Sequence, residues 1–291
     1  MAETVKTLRR RVRSVHNTKQ VTHAMEMISS VKLRRAQAQL TAGRPYSAKL
    51  QSVLGHLALA GAIDHPFFKK REVRKSVLVA IAADRGLAGS FNTLVEKRAD
   101  IELDESPHPT GLICVGKKCF EYFKYKKWPI THSITDFNGI LSVKRTSELA
   151  DRLMEMFLSG QADEIRLLYN SFVSPMVYRP VLRLLLPLEA ETLLVGQDTA
   201  AGSANIEYIL EPNPQRLMEG LLPLYVRNNI FITLADTFTA EHSARMTAMT
   251  AATKNCNDLI DSLTLKMNNL RQQAITKEIL EVVSGAEALK G

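Results

Sequence analysis

Two long stretches of this 291-residue chain contain neither glycine nor proline: residues 1–42 and residues 224–284. Glycine and proline are the strongest helix breakers, so their absence permits unusually long helices at both ends of the chain. A helix rises about 1.5 Å per residue, so fifty such residues span roughly 75 Å, whereas a globule of this chain length is roughly 40 Å across. The sequence therefore predicts a head with a long two-helix shaft.

Other absences narrow the class of protein. No run of eighteen apolar residues is present, so no membrane-spanning helix is predicted. The basic N-terminus lacks the apolar stretch of a secretory signal, and no mitochondrial transit segment is recognised, so we expect a cytoplasmic chain. Three cysteines, Cys114, Cys119 and Cys256, are too few and too scattered for a disulfide framework or a zinc site. We expect them to be inert thiols in packed positions.

Acidic residues are nearly absent from the first helical stretch. Residues 1–50 carry eleven basic side chains against two acidic ones, in a chain whose net charge is +8. Arg9, Arg10 and Arg11 follow one another around a helix in steps of about 100°, so they form a positive collar rather than a single charged face. Such a helix is typical of contact with nucleic acid, an anionic membrane surface or an acidic protein, and a solvated charged face is the alternative.

What the two ends do contain is a weak heptad pattern. The N-terminal seam is predicted to consist of Val5, Leu8, Val12 and Val15, then, after a phase shift, Val21, Met25 and Ile28, followed by Leu33, Ala36 and Leu40. The C-terminal seam is predicted to consist of Met249, Cys256, Leu263 and Leu270, interleaved with Thr253, Ile260, Met267 and Ala274. Because Thr, Cys, Met and Ala make a weak zipper, we expect the two ends of this chain to pair with each other. The pairing is antiparallel if the chain leaves the shaft near residue 58 and returns after Pro223.

The middle of the chain has the pattern of an α/β domain. Strands are predicted at residues 76–83, 112–115, 130–134, 164–169 and 181–186, and helices at 117–125 and 144–158. The strand at 130–134 is expected at an edge, and the order of strands and helices favours a largely parallel, doubly wound sheet. The predicted fold class is thus α/β, a Rossmann-like head with an antiparallel coiled coil made by the two ends. The predicted division is 1–58 for the first helix, 72–200 for the head and 208–291 for the last helix.

The head lacks the motifs that bind nucleotides or catalyse reactions. Only Gly86-x-x-Gly89 and an isolated Gly116 follow the first two strands, and neither meets the dinucleotide or phosphate-loop pattern. No nucleophile elbow and no metal-binding pair of histidines on a helix is present. Glu278 and Glu281 lie three residues apart, and we interpret them as partners in surface ion pairs rather than as catalytic groups. We therefore expect no enzymatic activity from this chain.

Six segments resemble the gamma subunit of F-type ATP synthases. The tail from Ile275 to Ala286 is similar to the family signature I-T-x-E-x-x-[DE]-x-x-x-G-A. Five further segments match family motifs in the same order: Thr18–Met27, Asp84–Asn92, Tyr169–Phe172, Tyr208–Pro212 and Glu241–Met249. Because the matches cover nearly the whole chain, they are more specific than a likeness of fold.

The resemblance implies a non-catalytic rotor subunit. In this family the terminal helices form an antiparallel coiled coil inside a hexamer of alpha and beta subunits, and the head rests on the membrane rotor ring, the c-ring, and binds epsilon. The rotor passes torque from proton flow to the catalytic beta subunits. The resemblance therefore implies alpha, beta, epsilon and the c-ring as partners, and no cofactor, small-molecule ligand or nucleic acid on this chain. It implies peripheral attachment, through the Fo sector, to the cytoplasmic side of a bacterial inner membrane.

The resemblance also assigns partner-binding residues. Arg9, Arg10 and Arg11 would face the acidic lever of beta, and Met25 either slides past that lever or is a seam residue. Arg245 would face the lever region from the second helix. Contacts with beta loops are assigned to Arg271, Gln272, Thr276 and the adjacent Glu278, and contacts with the rotor ring to Tyr208 and Glu211. The tail beyond Val282 would lie in a hydrophobic sleeve.

Two other classes of protein remain open at this point. A nucleic-acid-binding coiled coil would explain the basic first helix, and its affinity for DNA would fall steeply with salt. A Rossmann-type enzyme would explain the head, and calorimetric titration would detect stoichiometric binding of ATP or NAD.

Overall fold

The computed structural model describes residues 4–59, 64–189, 191, 193, 211 and 213–288. They include five α-helices: α1 (Val5–Leu59), α2 (Phe91–Asp104), α3 (Lys117–Tyr125), α4 (Val143–Leu158) and α5 (Pro214–Ala288). They also include five strands: β1 (Ser76–Ile81), β2 (Thr110–Val115), β3 (Ile130–Ile134), β4 (Glu164–Ser174) and β5 (Val177–Leu186). A short 3₁₀ helix lies at Pro66–Phe68. The chain divides into two compact units, one of Ser29–Arg245 and one that joins residues up to Ile28 with residues from Met246 onward.

The sheet lies in the unit formed by Ser29–Arg245. Its strand order is β3-β2-β1-β4-β5, with β1, β2, β3 and β4 parallel and β5 antiparallel to β4. Every residue of β1 is buried, as expected for an apolar central strand covered on both faces. The prediction of a largely parallel sheet with 130–134 at an edge is confirmed.

Helices cover both faces of the sheet, which makes it doubly wound. On one face, α4 contributes Leu149, Leu153 and Phe157, joined by the C-terminal part of α1 and the N-terminal part of α5. On the other face, α2 and α3 bury side chains such as Val95 and Phe123. The chain therefore has one core on each side of the sheet.

Helices α1 and α5 pair antiparallel within this unit. Asn228 Nδ2 donates a hydrogen bond to Ser47 Oγ at 2.8 Å, and one turn further along, a Cβ on Gly43 would lie 2.9 Å from Ile232 Cδ1. As the α1 number falls by four, the α5 number rises by four. Gly43 therefore marks a close approach of the two helices.

The unit formed by the two chain ends shows the same antiparallel direction. Thr253 Oγ1 donates to Thr22 Oγ1 at 2.9 Å, and Thr250 Oγ1 donates to a carboxylate oxygen of Glu26 at 2.9 Å. The predicted pairing of the two ends is confirmed, and it includes polar contacts as well as buried apolar residues such as Leu8 and Met249.

Part of the predicted seam on α1 is wrong. Val21 and Ile28 are 59% and 58% exposed, so they lie outside the seam. The buried and half-buried stripe continues from Val15 through Lys19, Thr22 and Met25 in steps of three and four, without a phase shift. The prediction followed apolar residue types, whereas the helix keeps its period and places polar residues in the interface.

The predicted return of the chain to the shaft, after Pro223, was also placed too late. Helix α5 begins at Pro214, nine residues before the predicted turning point, and Pro223 lies inside it. An interior proline costs about 3 kcal/mol. The segment remains helical because Met218 and Leu222 are 1% and 0% exposed in the core against the sheet. Burial of the flanking residues thus outweighs the proline.

The other element bounds differ by a few residues. The structure ends β1 at Ile81, begins β2 at Thr110 and begins α4 at Val143. It extends β4 to Ser174 and begins β5 at Val177, because these strands form a hairpin that continues past the parallel part of the sheet. The predicted boundaries of the domain division stay a prediction, and its segment 194–210 lies outside the described residues.

Candidate functional site

The first candidate site is the carboxyl edge of the sheet. In open α/β sheets, ligands bind beyond the carboxyl ends of the strands, where the connections turn to opposite sides. In this chain that point is the end of β1, which has β2 on one side and β4 on the other. The segments that follow β1, β2 and β3 meet there and could form such a site.

A carboxylate of the chain itself occupies part of this edge. Asp84 accepts hydrogen bonds from the backbone N–H groups of Lys117, Asp136 and Asn138, at 2.9, 3.0 and 2.6 Å. Lys117 is the first residue of α3, and N–H groups at helix N-termini are the donors that hold phosphates in nucleotide-binding folds. Because Asp84 satisfies these donors, they do not face an open site.

Helix α5 fills the rest of the edge. Ala240 and Ala244 cluster with Ala83, Ala88 and Phe91, and these small side chains allow the helix to approach closely. All nine residues from 237 to 245 are buried, so this part of the helix is enclosed on every side. The space that a ligand would need is therefore taken by the chain's own helix.

Polar side chains of α5 fasten the helix to four separate backbone segments, an arrangement that we call the helix–sheet joint. Asp236 accepts from Ser171 Oγ at 2.7 Å and from the Phe172 N–H at 3.0 Å. His242 Nε2 donates to the Gly139 carbonyl at 2.9 Å, and Ser243 Oγ donates to the Pro175 carbonyl at 2.6 Å. The guanidinium of Arg245 donates twice, from Nε to the Gly86 carbonyl at 3.3 Å and from Nη2 to the Arg85 carbonyl at 3.2 Å. Four segments of the sheet domain thus bind four side chains within a ten-residue span of one helix.

The joint contains buried ionisable groups. Glu241 and Arg245 form an ion pair at 2.8 Å, and their side chains are 3% and 9% exposed. Burial raises the pKa of Glu241, and the opposing effect of the Arg245 charge is smaller. Burial also lowers the pKa of His242 to about 4, so its ring is neutral near pH 7 and Nε2–H donates to Gly139. Removal of the guanidinium would leave a buried carboxylate without its partner.

The second candidate site is the surface of the two chain ends. Arg9, Arg10 and Arg11 are exposed on α1, and Met25 is half-buried. Arg271, Gln272, Thr276 and Glu278 are all exposed on α5. Thr276 Oγ1 donates to the Gln272 carbonyl at 2.9 Å, and Lys277 pairs with Glu281 at 3.6 Å on the same surface. The ion pair at Glu281 agrees with its interpretation as a surface group.

No described residue of the chain covers the last described part of α5. Every residue from 271 to 285 is exposed. Five of them are large and apolar, with exposed fractions between 49% and 67%: Ile275, Ile279, Leu280, Val282 and Val283. Apolar side chains grouped on an exposed helix are characteristic of a binding surface.

The remaining predicted partner residues lie elsewhere. The guanidinium of Arg245 is buried and bound within the chain, so its predicted contact with a partner stays a prediction beside an observed internal role. Glu211 is exposed, and Tyr208 lies outside the described residues.

Comparisons with known proteins identify the family of the chain. The family model described as ATP synthase matches residues 4–289. The ATP synthase gamma chain of Moorella thermoacetica is 42% identical over 286 residues, which cover 97% of this chain and 98% of that protein. The gamma chain of Pelotomaculum thermopropionicum is 40% identical over 284 residues, with the same coverage of both chains.

The chain belongs to the ATP synthase gamma-chain family.

Solved structures share the fold of this gamma-chain family member. A chain from the Euglena gracilis mitochondrial ATP synthase, in a structure of OSCP, F1 and the c-ring, matches with a TM-score of 0.67 at 17% identity, covering 98% of this chain and 94% of that one. The identity is low, so this likeness supports the fold alone.

Two further observations concern membranes and metals. No helix among the described residues combines the length and apolar character needed to cross a bilayer. In the same residues, no three His, Cys, Asp or Glu side chains are grouped so that they could hold a metal ion. Cys114 and Cys119 are buried, as expected, whereas Cys256 is only half-buried.

The sequence did not predict the residues that fasten α5 to the gamma-chain head. Asp84 and Arg245 lie in motifs that match the family, but nothing in those motifs indicates that they contact the head's own backbone. Asp236 lies in no motif, and His242 occupies an unspecified position of the Glu241–Met249 segment. A charged residue among apolar neighbours, as in Leu234-Ala235-Asp236, was the available signal, since a buried carboxylate needs a partner.

Proposed function

We propose that this chain is the central-stalk rotor subunit of a bacterial F1Fo ATP synthase, passing torque from the rotor ring to the alpha–beta hexamer. It does no ATP chemistry itself, and it couples proton translocation to ATP synthesis or hydrolysis. Its partners are the alpha, beta and epsilon subunits and the c-ring. It is attached peripherally to the cytoplasmic face of the inner membrane through the Fo sector.

The observation that carries this proposal is the uncovered apolar surface of residues 271–285. Ile279, Leu280 and Val282 are each more than half exposed, although burying a side chain of this size is worth about 1.5–3 kcal/mol. A hydrophobic sleeve made by other subunits would cover these residues. The relatives named gamma chains, together with a fold shared with ATP synthase structures, support the same assembly.

Individual contacts follow from the assembly. Arg9, Arg10 and Arg11 are exposed, and residues 1–50 carry only two acidic side chains, so these arginines suit an acidic surface of beta and would set its register more than its affinity. Met25 is uncharged and flexible, which suits a surface that slides past a partner. Arg271, Gln272, Thr276 and Glu278 would contact beta loops, while Tyr208 and Glu211 would contact the rotor ring.

Co-purification tests the proposal. The tagged chain, expressed with the other subunits, should bring down alpha, beta and epsilon in a 3:3:1 ratio to itself, as the family's assembly implies. Inverted membrane vesicles that contain the complex should pump protons when ATP is added. Recovery of the chain without alpha and beta would refute the assignment.

A further inference from the structure

We propose that the helix–sheet joint is the element that makes the head and α5 turn as one body, and that Asp236 and His242 are positioning residues in it. This inference rests on the proposed function, since it says how a rotor subunit avoids slippage between its head and its helix. It goes beyond that function in naming residues by their contacts within the chain.

The directions of the four contacts support this role. At about 100° per residue, Asp236 and Ser243 point to nearly the same side of α5, Arg245 points to the opposite side and His242 lies between them. Their partners belong to β4, the β4–β5 turn, the β1–α2 segment and the β3–α4 loop. A rotation of α5 about its own axis would therefore stretch contacts on opposite sides together.

The alanines of α5 beside the joint do not supply this resistance, although Phe238 of the same stretch packs on Phe137 with ring centroids 5.7 Å apart. Ala240 and Ala244 pack against Ala83 and Ala88, and alanines present a smooth surface with no long side chain to interlock. Dispersion contacts have little directional preference, whereas hydrogen bonds weaken steeply when their angle changes. The alanines thus permit close approach, and the polar contacts set the angle between helix and sheet.

The backbone opposite His242 is shaped to receive the ring. Gly139 has a φ of +66°, and a Cβ at this position would lie 2.6 Å from His242 Cε1 and 2.7 Å from Nε2. Only glycine leaves room for the imidazole at this distance. The loop and the ring therefore form a fitted contact rather than an incidental one.

Asp236 and His242 are better test positions than Arg245. Loss of Arg245 would leave Glu241 buried without its partner, so a loss of activity could reflect unfolding alone. Asn at position 236 can accept from the Phe172 N–H and donate to Ser171 Oγ, so it retains both hydrogen bonds. Gln at position 242 retains a donor toward the Gly139 carbonyl. Leu at either position removes the hydrogen bonds at similar volume.

The experiment compares proton pumping with ATP hydrolysis in membranes that contain the complete complex. The double variant Asp236→Leu/His242→Leu should lower the pumping-to-hydrolysis ratio about threefold, because without three hydrogen bonds the joint can slip during a turn. The matched variant Asp236→Asn/His242→Gln should keep the wild-type ratio. Val95→Ala, which destabilises the opposite core of the head and leaves the joint intact, should also keep it.

An unchanged ratio in the double Leu variant would overturn the inference, and so would an equal fall with Val95→Ala. If the double Leu variant fails to assemble, Ser171→Ala removes one donor to Asp236 and should lower the ratio by a smaller amount; no change there would also overturn it. Failure of the proposed function is a separate result, because wild-type membranes would then show no coupled pumping at all.

Discussion

Residues 237–245 and residues 271–285 belong to the same helix, α5, and differ in almost everything except backbone conformation. The first stretch is buried at every position, and the second is exposed at every position. In the first, the chain supplies partners even for a charged pair, Glu241 and Arg245. In the second, large apolar side chains have no partner in the described structure. One stretch is completed by its own fold, and we propose that other subunits cover the other.

The difference shows where sequence patterns are ambiguous. Neither stretch is buried along one face only. Residues 237–245 are buried on all sides, and residues 271–285 are exposed on all sides. Hydrophobicity alone would place Ile279 and Val283 in a core and Glu241 on a surface, which is the reverse of what is observed.

The largest expected effect is at the buried ion pair. Arg245→Leu should destabilise the chain by about 3–5 kcal/mol, because it leaves the Glu241 carboxylate buried without a countercharge. The change in unfolding free energy can be measured with denaturant on the isolated chain. Arg271→Leu, in the exposed stretch, is the control and should change stability by less than about 0.5 kcal/mol. Equal effects at the two positions would remove the contrast between the stretches.

A pH dependence should follow from His242. The folded chain keeps this ring neutral down to a pKa of about 4, whereas in the unfolded chain it binds a proton near 6.5. Acid therefore favours the unfolded chain, and stabilisation that is complete above pH 6.5 is lost as the pH falls toward 4, by about 3 kcal/mol in total.

The measurement is unfolding free energy against pH for wild type and His242→Gln. Glu241 acts in the opposite sense, because its raised pKa makes the folded chain relatively more stable as the carboxylate is protonated, and the charges of Arg245 and Lys32 also act on the ring. These groups are common to both proteins. The difference between the two curves isolates His242, and parallel curves would contradict the prediction.

Gly139, which faces the buried stretch at His242, and Gly285, which lies in the exposed stretch, should respond differently to substitution by alanine. Gly139→Ala should cost about 2 kcal/mol, because the new Cβ meets the His242 ring and the backbone φ is positive. Gly285→Ala meets nothing within 4 Å and lies in a helix, so it should be neutral or stabilise by up to about 1 kcal/mol. Thermal unfolding of both variants measures the difference, and a loss of stability at Gly285 would contradict it.

The smallest effect on the isolated chain should come from the exposed apolar residues. Ile279→Asp should change the unfolding free energy by less than about 0.5 kcal/mol, since the side chain is 57% exposed. In the assembled complex the same change should reduce recovery of alpha and beta with the tagged chain. Lys277→Gln, next to it on a polar position, is the control. Normal recovery with Ile279→Asp would argue against a sleeve around this stretch.

Much of the fold follows from local pattern. The apolar run at 76–83 predicts a strand, which the structure shows at Ser76–Ile81, and residues 117–125 and 130–134 were predicted with the bounds that the structure shows. That the helix continues through Pro223 could not be predicted, because it depends on burial of Met218 and Leu222 against the sheet. On α1, the sequence suggested Val21 and Ile28 for the seam, but helical period placed Thr22 there instead.

Of the two candidate sites, the surface of the chain ends could be predicted from the sequence and the helix–sheet joint could not. The tail signature at Ile275–Ala286 and five other motifs identify the family from the sequence alone, and they point to the exposed residues of the chain ends. The joint was not predicted, because Asp236, His242 and Gly139 are far apart in sequence and have no shared motif.

The amino-acid sequence by itself determined the long terminal helices, the parallel sheet and the family, because helix length, strand pattern and motifs are local properties of the chain. Tertiary structure alone decided that the carboxyl edge of the sheet holds α5 instead of a ligand. That outcome depends on which distant side chains meet the backbone donors and acceptors at the edge. Asp84 satisfies the N–H groups and α5 fills the space, and neither contact can be read from residues that are neighbours in sequence.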